Sequence, residues 1–479
     1  MEPLDAGMGM GGGGGGGGGG GPTRFPLFQE SESKLYLPKY FGLRRYGFPT
    51  RPGAVTLDPG EPCRTGLVFA GRLRPEQMEP IEAFLAAARD PSRMGGLLSM
   101  PCGFGKTVIA LHLVAALGVR AMVVVHKDFL LGQWRERIGQ FLPGATLGLV
   151  KAKAVDVAGK DIVLASLQSL SMKEYDADLF RGVGFLIIDE CHRVGTEVFS
   201  RALRKVNFRY SLGISATVRR KDGMTKAFVA HLGDVLFKGQ RRVDSVVVVQ
   251  QAFLDSDPAY CRVATIGAIG KPNISRMINN IAAFPARTRA VVDAVLAAIK
   301  RQGRRRVLVL SDRKAQLTDV RAGLEAAGVT AGFYWGGMKA AALAETEAKQ
   351  VMCATFSYAA EGMDVPGLDT LVLASPKSDV EQSCGRILRQ TADARLHVPL
   401  IVDIVDGFSL FERQGDKRAA FYRKHRYPIY RNLAAGLDAC LAEGGAKGMT
   451  GGGDSSEEEE EFGTDTQETF EFVDEEGDR

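Results

Sequence analysis

The 479-residue chain lacks the features that mark secreted, zinc-binding or membrane-spanning proteins. Its seven cysteines are scattered, with no CxxC pair and no His/Cys spacing suited to zinc, so we expect free thiols in a reducing, intracellular compartment. No apolar run reaches the roughly 18 uncharged residues that span a bilayer, which argues against a membrane protein. The N-terminus, Met1-Glu-Pro-Leu-Asp5 followed by polyglycine, does not have the pattern of a secretory signal.

Composition and length favour a globular protein with two or three domains. The formal net charge of +5 conceals an asymmetry, because residues 454–479 carry a net −12 and leave +17 for the rest. A basic body of this kind favours a polyanionic partner, although an ordinary solvated surface of Lys and Arg is the alternative.

The segment Ser99-Met-Pro-Cys-Gly-Phe-Gly-Lys-Thr107 lies between a short apolar run and the apolar segment 108–117, which ends at Gly118. A strand, a glycine loop and a buried helix are the setting of a phosphate-binding loop. Met100 stands where the strict pattern has glycine, so this match is imperfect on its own.

The side chains of this loop suit a nucleoside triphosphate. Gly103 and Gly105 allow backbone N–H groups to turn inward around a phosphate at the helix N-terminus. Lys106 brings a positive charge to the β- and γ-phosphates, and the Thr107 hydroxyl is placed to hold Mg²⁺.

Alternating apolar runs and helix-length segments predict two α/β domains with parallel sheets, at 72–240 and 285–412. The strands predicted after the phosphate loop in the first domain are 121–126, 161–166, 185–189 and 210–215. The strands predicted in the second domain are 307–311, 329–334, 351–355, 370–375 and 400–404. Only the first domain has a phosphate loop, which suggests a site completed across a cleft.

The flanking segments are predicted from composition. Residues 1–22 are rich in glycine and are expected to be disordered, and 23–71 form an N-terminal extension, a small β-rich or irregular cap. Residues 241–284 are interpreted as a connector, and 413–447 as a basic, aromatic extension. The tail 448–479 is acidic and expected to be disordered; it is typical of a solubilising or regulatory extension. Competition with DNA, or docking of a transcription or replication protein, are its alternative roles.

Two carboxylates end the apolar run in Ile187-Ile-Asp-Glu-Cys-His192. In a nucleotide hydrolase Asp189 would hold Mg²⁺, and Glu190 would orient and deprotonate the attacking water. A strand that ends in Asp-Glu is common, so this pair alone is weak evidence. Its position downstream of Lys106 in the same predicted sheet is what indicates a nucleotide hydrolase. Ser215 and Thr217 follow the next strand, either to sense these carboxylates or as an ordinary helix cap.

Two arginines of the second domain, Arg386 and Arg389, are three residues apart and share one helix face. Such a face is usually solvated or salt-bridged, but one that closes on a triphosphate supplies arginines worth roughly 10³–10⁵ in rate. Nearby, Gly362 permits a tight turn, and Asp364 could bond a ribose hydroxyl or link the domains, with an ordinary turn as the alternative.

Five segments, 100–107, 189–192, 215–217, 355–366 and 382–389, resemble motifs I, II, III, V and VI of superfamily 2 helicases, in the same order. The resemblance extends over most of the chain and implies two RecA-like domains in tandem, with ATP and Mg²⁺ in the cleft between them. It also implies a nucleic-acid partner that crosses the tops of both domains.

The resemblance carries over to individual residues. ATP binding is implied for Gln77, Cys102, Gly103, Phe104, Gly105, Lys106, Thr107, Val108, Gly362 and Asp364. Catalysis is implied for Lys106, Asp189, Glu190, Gln382, Arg386 and Arg389, with Thr107 and Asp189 as metal ligands. Coupling is implied for His192, Ser215 and Thr217, and nucleic-acid contact for Lys127, Ser166, Gln168, Ser311, Arg313 and Thr355. Glu76 stands where the family has an aromatic residue before the glutamine that reads adenine, which weakens the expected adenine specificity.

More narrowly, the segment 376–389 is similar to the helicases of large nucleocytoplasmic DNA viruses, a group that includes the poxviral transcript-release helicase and is akin to the XPB-like DNA helicases. This similarity implies 3′-to-5′ movement on DNA in viral-type transcription or recombination, in the host cytoplasm, the nucleus or the virion. An RNA helicase and a double-stranded DNA translocase without unwinding are the alternatives. A non-hydrolysing ATP switch is disfavoured, because a switch needs neither a base nor arginine fingers.

Aromatic side chains near the predicted nucleic-acid track could stack on bases, which contributes roughly 1–3 kcal/mol per base. Phe333, Trp335 and Tyr427 are the candidates. For Phe333 and Trp335, packing against the core is the favoured interpretation.

Overall fold

The computed structural model describes residues 4–6, 23–25, 27–47, 57–64, 66–101, 103–176, 178–191, 196–216, 225–239, 245–266, 270–363, 365–390 and 394–446. Within these ranges the chain folds around two large sheets, each covered by helices. No helix of the described residues is long and apolar enough to cross a bilayer.

The described part of the first domain contains an eight-stranded sheet. In spatial order its strands are Val235–Lys238, Gly95–Ser99, Tyr210–Ser215, Phe185–Asp189, Ala121–Val125, Ile162–Ser166, Leu147–Lys151 and Ala154–Asp156. The pairs are parallel except the last, in which Ala154–Asp156 runs antiparallel to its neighbour. The predicted parallel sheet is therefore confirmed, and the phosphate loop follows an inner strand, Gly95–Ser99, which lies next to the edge strand Val235–Lys238.

The central strands of this sheet are apolar without alternation because both faces are covered. Every residue of Ala121–Val125 and of Phe185–Asp189 is buried. Helix Lys106–Leu117 is likewise apolar on most sides, since it packs between the sheet and its neighbouring helices. The other helical segments of this domain are Pro75–Gln77 (3₁₀), Met78–Arg89, Asp128–Phe141, Leu167–Met172, Thr196–Leu203 and Thr225–Leu232.

The N-terminal extension contains a helix, Lys39–Tyr46, that the sequence analysis did not predict. Short strands precede it at Thr23–Phe25, Gln29–Ser31 and Lys34–Tyr36. Leu4–Ala6, in the segment predicted to be disordered, is instead a strand that pairs with Thr23–Phe25. The buried Tyr40 hydroxyl lies 2.6 Å from the Ser211 hydroxyl, and Lys39 Nζ donates to the Arg209 carbonyl at 2.6 Å. These contacts fasten the extension to the first sheet, at the end opposite the phosphate loop.

The second domain has a seven-stranded, all-parallel sheet among the described residues. In spatial order its strands are Ala331–Tyr334, Val351–Thr355, Val307–Ser311, Thr370–Leu373, Leu400–Asp406, Val247–Phe253 and Ile429–Tyr430. The helices around it are Pro258–Cys261, Ile274–Ala283, Pro285–Arg301, Lys314–Ala326, Ala340–Glu347, Phe356–Gly362, Glu381–Cys384, Leu410–Lys424 and Leu433–Ala446, with a 3₁₀ turn at Gly385–Leu388. A two-stranded ribbon joins Thr265–Ile266 to Lys271–Pro272.

The predicted connector, 241–284, differs from the structure. Its strand Val247–Phe253 pairs along its full length with Leu400–Asp406 and is an inner strand of the second sheet. The insert that follows is anchored to the same strand pair, because Tyr260 donates to Asp406 at 2.9 Å. Arg287, at the start of the next helix, pairs with that carboxylate at 2.8 Å. The second domain therefore begins before 285, near the first of the four buried valines Val246–Val249.

The predicted C-terminal extension, 413–447, is also part of the second domain. Arg418 is fully buried against Asp403, at 2.8 Å, and the buried Tyr422 hydroxyl donates to the same carboxylate at 3.2 Å. Leu437 and Cys440 join the core beneath the sheet. The basic and aromatic residues of this segment thus complete a fold, which composition alone did not indicate.

A buried histidine makes the first domain sensitive to acid. His231 lies with its Nε2 atom 3.0 Å from the Ser200 hydroxyl and edge-on to Phe199. Burial, and to a smaller extent the charge of Arg204, lowers the pKa of His231 to about 4. Because the unfolded chain has the ordinary pKa of about 6.5, it binds more protons between these values, and the free energy of unfolding falls by about 2 kcal/mol between pH 7.5 and pH 5.

In His231→Gln this contribution to the acid-dependent loss should disappear. The measurement is urea unfolding at the two pH values in a Trp335→Phe background, where the fluorescence of Trp134 reports on the first domain. Phe199→Leu is the control: it changes the same cluster without a titrating group and should keep the wild-type pH dependence. An unaltered pH dependence in His231→Gln would contradict the assignment.

Candidate active site

The phosphate loop has the backbone conformation that its glycines predict. Gly103 and Gly105 have φ of 84° and 87°, in the left-handed region that glycine tolerates, and Gly105 caps helix Lys106–Leu117. A Cβ atom on Gly105 would lie 2.2 Å from the Gln77 side-chain nitrogen, so no other residue fits without displacement. The backbone therefore places the positive end of a helix dipole at the loop, as an anion site requires.

The charged residues predicted around the loop lie together at the carboxyl end of the sheet. Lys106 Nζ lies 3.1 Å from Glu190 Oε1, and both side chains are largely buried. Asp189 is the last residue of its strand, and Glu190 follows it with φ of 48°. A left-handed conformation at a non-glycine residue costs of order 1–3 kcal/mol and is typical of functional sites.

Asp189 is held in surroundings that oppose its charge. Burial, and next the neighbouring charge of Glu190, raises the pKa of Asp189 to about 6, against the opposing effects of a Trp134 hydrogen bond and of Lys106. A carboxylate with these neighbours is stabilised by a bound cation. With the Thr107 hydroxyl in the first turn of the adjacent helix, the donors are the hard oxygen atoms that Mg²⁺ prefers.

Trp134 is a site residue that the sequence analysis did not single out. Its indole Nε1 donates to Asp189 Oδ2 at 2.9 Å, and its ring is buried in helix Asp128–Phe141. A buried tryptophan needs an acceptor for its N–H group, so a tryptophan in a helix that packs on this sheet is the sequence signal for a polar partner nearby. Through this bond, the helix that begins beside Lys127 positions the candidate metal ligand.

The two candidate arginines lie next to the phosphate loop, Arg386 in a 3₁₀ turn rather than an α-helix and Arg389 directly after that turn. Gly385–Leu388 forms this turn, and because it has three residues per turn, Arg386 and Arg389 lie on one side. Both donate to the carbonyl of Met363, Arg386 from Nη1 at 2.7 Å. The Leu388 carbonyl oxygen lies only 3.6 Å from the position of a Cβ atom on Gly103. The structure thus brings the arginine segment against the loop of the other domain.

The remaining predicted site residues are placed as follows. Gln382 lies in the helical turn before the arginines, Gly362 ends helix Phe356–Gly362 rather than forming an open turn, and Ser215 is buried at the end of a strand beside Ser99. Phe104 packs against Phe237, and Val108 lies in the first turn of the loop helix. Cys102, His192, Thr217 and Asp364 lie outside the described residues.

The predicted nucleic-acid contacts all lie at or just after the carboxyl ends of parallel strands. Lys127 and Ser166 precede helices in the first domain, and Gln168 is exposed. Thr355 occupies the same position in the second domain. These four positions therefore stay together as a predicted track.

Two second-domain contacts are engaged within the protein. The Ser311 side chain is buried, and its hydroxyl donates to Gln316 Oε1 at 2.7 Å, so the prediction that it meets a phosphate differs from the structure. The Arg313 guanidinium donates to the Ser275 side chain at 3.0 Å and to Asn279. It ties helix Ile274–Ala283 to the strand end.

The aromatic residues that were candidates for stacking on bases pack against the protein core. Tyr427 is buried in the second core, so the prediction that it stacks on a base differs from the structure. Phe333 and Trp335 stack on each other with ring centroids 4.2 Å apart, and both pack against the core, as the sequence analysis favoured. Lys314 lies over the Trp335 ring at 5.0 Å, and Arg321 over Phe333 at 4.7 Å, which covers the pair further.

Trp134→Phe tests the positioning of Asp189. Phenylalanine keeps a ring in the core but removes the donor, and a hydrogen bond to a charged group contributes about 1.5–3 kcal/mol. If this is lost at the reacting centre, kcat for ATP hydrolysis falls by about ten- to hundredfold, measured at saturating Mg²⁺ and ATP. Trp335→Phe, at the only other tryptophan of the sequence, is the matched control and should keep wild-type kcat. Equal kcat in both variants would remove the role of Trp134.

Comparisons with known proteins show which family the chain resembles. Residues 70–220 match the family described as type III restriction enzyme, res subunit. A protein of Acanthamoeba polyphaga mimivirus, named as a candidate ATP-dependent RNA helicase, is 31% identical over 85% of this chain and 78% of its own length. A similarly named protein of African swine fever virus (isolate Tick/Malawi/Lil 20-1/1983) is 24% identical over 71% of this chain and 70% of its own. A candidate helicase of Invertebrate iridescent virus 3 is 29% identical over 48% of this chain and 71% of its own.

Among solved structures, the crystal structure of T4 UvsW matches 85% of this chain and 90% of that chain, with 16% identity and a TM-score of 0.34. The family assignment rests on the sequence relatives and not on this likeness. Those relatives, together with two α/β domains and the phosphate loop beside paired carboxylates, support tandem RecA-like domains that use ATP. The chain belongs to the superfamily 2 ATP-dependent helicases and is related to the helicases of large DNA viruses.

Proposed function

We propose that this helicase moves 3′-to-5′ along DNA and unwinds it, in viral-type transcription or recombination. The observation that carries the motor proposal is the close approach of the arginine turn of one domain to the phosphate loop of the other. The Leu388 carbonyl oxygen lies 3.6 Å from the position that a Cβ atom on Gly103 would have. A triphosphate bound to the loop would lie beside residues of both domains. Its hydrolysis would then change how the domains meet.

Each charged residue has a role that its position supports. Lys106, now paired with Glu190, would exchange this partner for the β- and γ-phosphates. Glu190, released from the lysine, would accept the proton of the attacking water. Arg386 and Arg389 would leave the Met363 carbonyl to neutralise charge that develops on the γ-phosphate, with Gln382 beside them.

The oxygen donors at the carboxyl end of the first sheet fit Mg²⁺, as described above. When bound there by Thr107 and Asp189, Mg²⁺ would neutralise phosphate charge. The protein's own part is to orient the carboxylate. The Trp134 N–H group donates to one oxygen of Asp189, and this bond also sets the direction of the other oxygen.

The proposed track crosses the strand ends of both domains. Lys127, Ser166 and Gln168 would contact backbone phosphates from the first domain, and Thr355 from the second. Contacts of this kind are independent of sequence, and they would alternate their grip as the cleft opens and closes. The basic body, with net +17 outside the acidic tail, supports a polyanionic track.

RNA is the second candidate track. Two of the viral relatives are named as RNA helicases, which favours it. The segment 376–389 resembles a viral group that is akin to XPB-like DNA helicases, which favours DNA. For compartment, we propose a reducing environment in the infected cell or the virion, which is consistent with the absence of a disulfide among the described cysteines.

Two variants test the chemical roles. Lys106→Ala should abolish ATP hydrolysis, because the phosphates lose their cation. Glu190→Gln should bind ATP with near-wild-type Kd but lose hydrolysis by at least about 10²-fold, the range expected for loss of a general base. Steady-state ATPase and fluorescent-nucleotide binding measure the two properties, with the exposed Glu136→Gln as the matched control. Near-wild-type turnover in Glu190→Gln would remove the base assignment.

The track is tested by ATPase stimulation with single- and double-stranded DNA and RNA over a salt series, followed by unwinding of forked duplexes. DNA should stimulate more than RNA, the stimulation should weaken steeply with salt, and a duplex with a 3′ tail should open in preference to one with a 5′ tail. Stronger stimulation by RNA would contradict the proposed DNA track and indicate an RNA helicase. Stimulation by duplex DNA without opening of any fork would indicate a translocase.

A further inference from the structure

An aromatic contact joins the two domains on the side of the predicted track. The rings of Phe129, in the first domain, and Tyr358, in the second, have centroids 5.8 Å apart and planes inclined by 54°. Both side chains are half-buried. Aromatic rings attract each other at this separation, so the two residues, named here the ring pair, bind one domain to the other. This contact is separate from the approach of Leu388 to Gly103 at the phosphate loop.

Each ring lies beside a predicted phosphate contact of its own domain. Phe129 is two residues after Lys127, and Tyr358 is three residues after Thr355. In both cases the ring is in the first turn of the helix that the phosphate contact precedes. The ring pair therefore fixes where the two halves of the track lie relative to each other.

Tyr358 is supported from within the second domain. Its ring lies 5.4 Å from the ring of Tyr334, which is buried and whose hydroxyl donates to Glu347 Oε1 at 2.8 Å. A Cβ atom on Gly336 would lie 3.7 Å from Tyr358 Cδ2, so the chain also passes close to the ring at this point. Tyr358 thus meets Phe129 from a fixed position.

The two helices that carry the ring pair also hold groups of the ATP site. The helix of Phe129 carries Trp134, which donates to Asp189. The helix of Tyr358 ends one residue before Met363, whose carbonyl accepts both candidate arginines. A displacement of one ring past the other therefore moves the support of a candidate metal ligand relative to the acceptor of the arginines.

We propose that the ring pair stabilises the arrangement of the domains in which both halves of the track lie together and the arginine turn lies against the phosphate loop. This inference rests on the proposed helicase function. Phe129 and Tyr358 are positioning residues, which act through the placement of Lys127, Thr355 and the arginines. A strand that bridges both halves of the track binds this arrangement more tightly than any other, so the strand and the ring pair favour the same state.

Tyr358→Leu tests the proposal through ATP hydrolysis, measured at saturating Mg²⁺ and ATP against the concentration of oligo(dT) or oligo(U), whichever stimulates the wild type more. An aromatic pair changes an equilibrium by about two- to twelvefold. The concentration for half-maximal stimulation should rise by this factor, and kcat without a strand should fall by up to the same factor. At saturating strand kcat should return to the wild-type value, because the bound strand restores the arrangement.

Two variants serve as controls. Tyr358→Phe keeps the ring and should behave as the wild type. Phe141→Leu removes a ring at the other end of the same helix as Phe129, where Phe141 stacks on Phe69 within the first domain at 5.7 Å. It should change neither the half-saturating concentration nor kcat.

Phe129→Leu and the double variant Phe129→Leu/Tyr358→Leu show whether the two rings act as one contact. Because either single variant already breaks the contact, the double variant should raise the half-saturating concentration no further than the larger single effect. Effects that multiply would contradict the ring pair. Phe129→Leu also replaces Tyr358→Leu as the main variant if the melting temperature shows Tyr358→Leu to be poorly folded.

The outcomes separate this inference from the proposed function. Wild-type half-saturation in Tyr358→Leu, or a kcat that stays low at saturating strand, would overturn the inference and leave the helicase function intact. If neither oligo(dT) nor oligo(U) stimulates the wild type, both the proposed function and the inference are overturned.

Discussion

The pairing of Lys106 with Glu190, beside the buried Asp189, is the interaction on which the site depends. Three charged groups share a volume from which most water is excluded, at the carboxyl end of a parallel sheet. Neither the ammonium nor the carboxylates could be buried singly at a tolerable cost in free energy. Lys106 neutralises one of the two carboxylates, Glu190, and this pairing makes the site responsive to a polyanion, which competes with Glu190 for the lysine.

The second domain presents a similar arrangement of held cations. Arg386 and Arg389 donate to one backbone carbonyl, that of Met363, which ends the segment after helix Phe356–Gly362. A neutral carbonyl is a weaker partner for an arginine than a phosphate oxygen is. The turn that carries these arginines lies against Gly103 of the other domain, with the Leu388 carbonyl oxygen 3.6 Å from the position of a Cβ atom there. This geometry links nucleotide charge to the arrangement of the domains.

Two buried carboxylates explain why the second domain is larger than its sequence pattern indicated. Asp403 and Asp406 lie on one strand, Leu400–Asp406; Asp403 pairs with Arg418 of the downstream segment, and Asp406 accepts a hydrogen bond from the hydroxyl of Tyr260 in the upstream segment. Because a buried carboxylate without a partner is strongly destabilising, the segments that carry these residues pack against this strand. Both segments also contribute strands to the same sheet, which is why neither behaves as a linker or a tail.

Local sequence patterns predicted much of the fold and of the site. Apolar runs predicted the central strands, Gly103 and Gly105 predicted a loop with left-handed backbone, and the short motifs indicated the family. Each of these signals is made of residues that are adjacent in the chain. The role of Trp134, the inward direction of the Gln77 amide, the burial of Ser311 and Tyr427, and the place of Val247–Phe253 in the second sheet depend on residues far away in the chain. A side chain's type determines which bonds it can make, but only the packed chain determines which partner is within reach, because hydrogen bonds and burial act over a few ångströms of space and not over sequence distance.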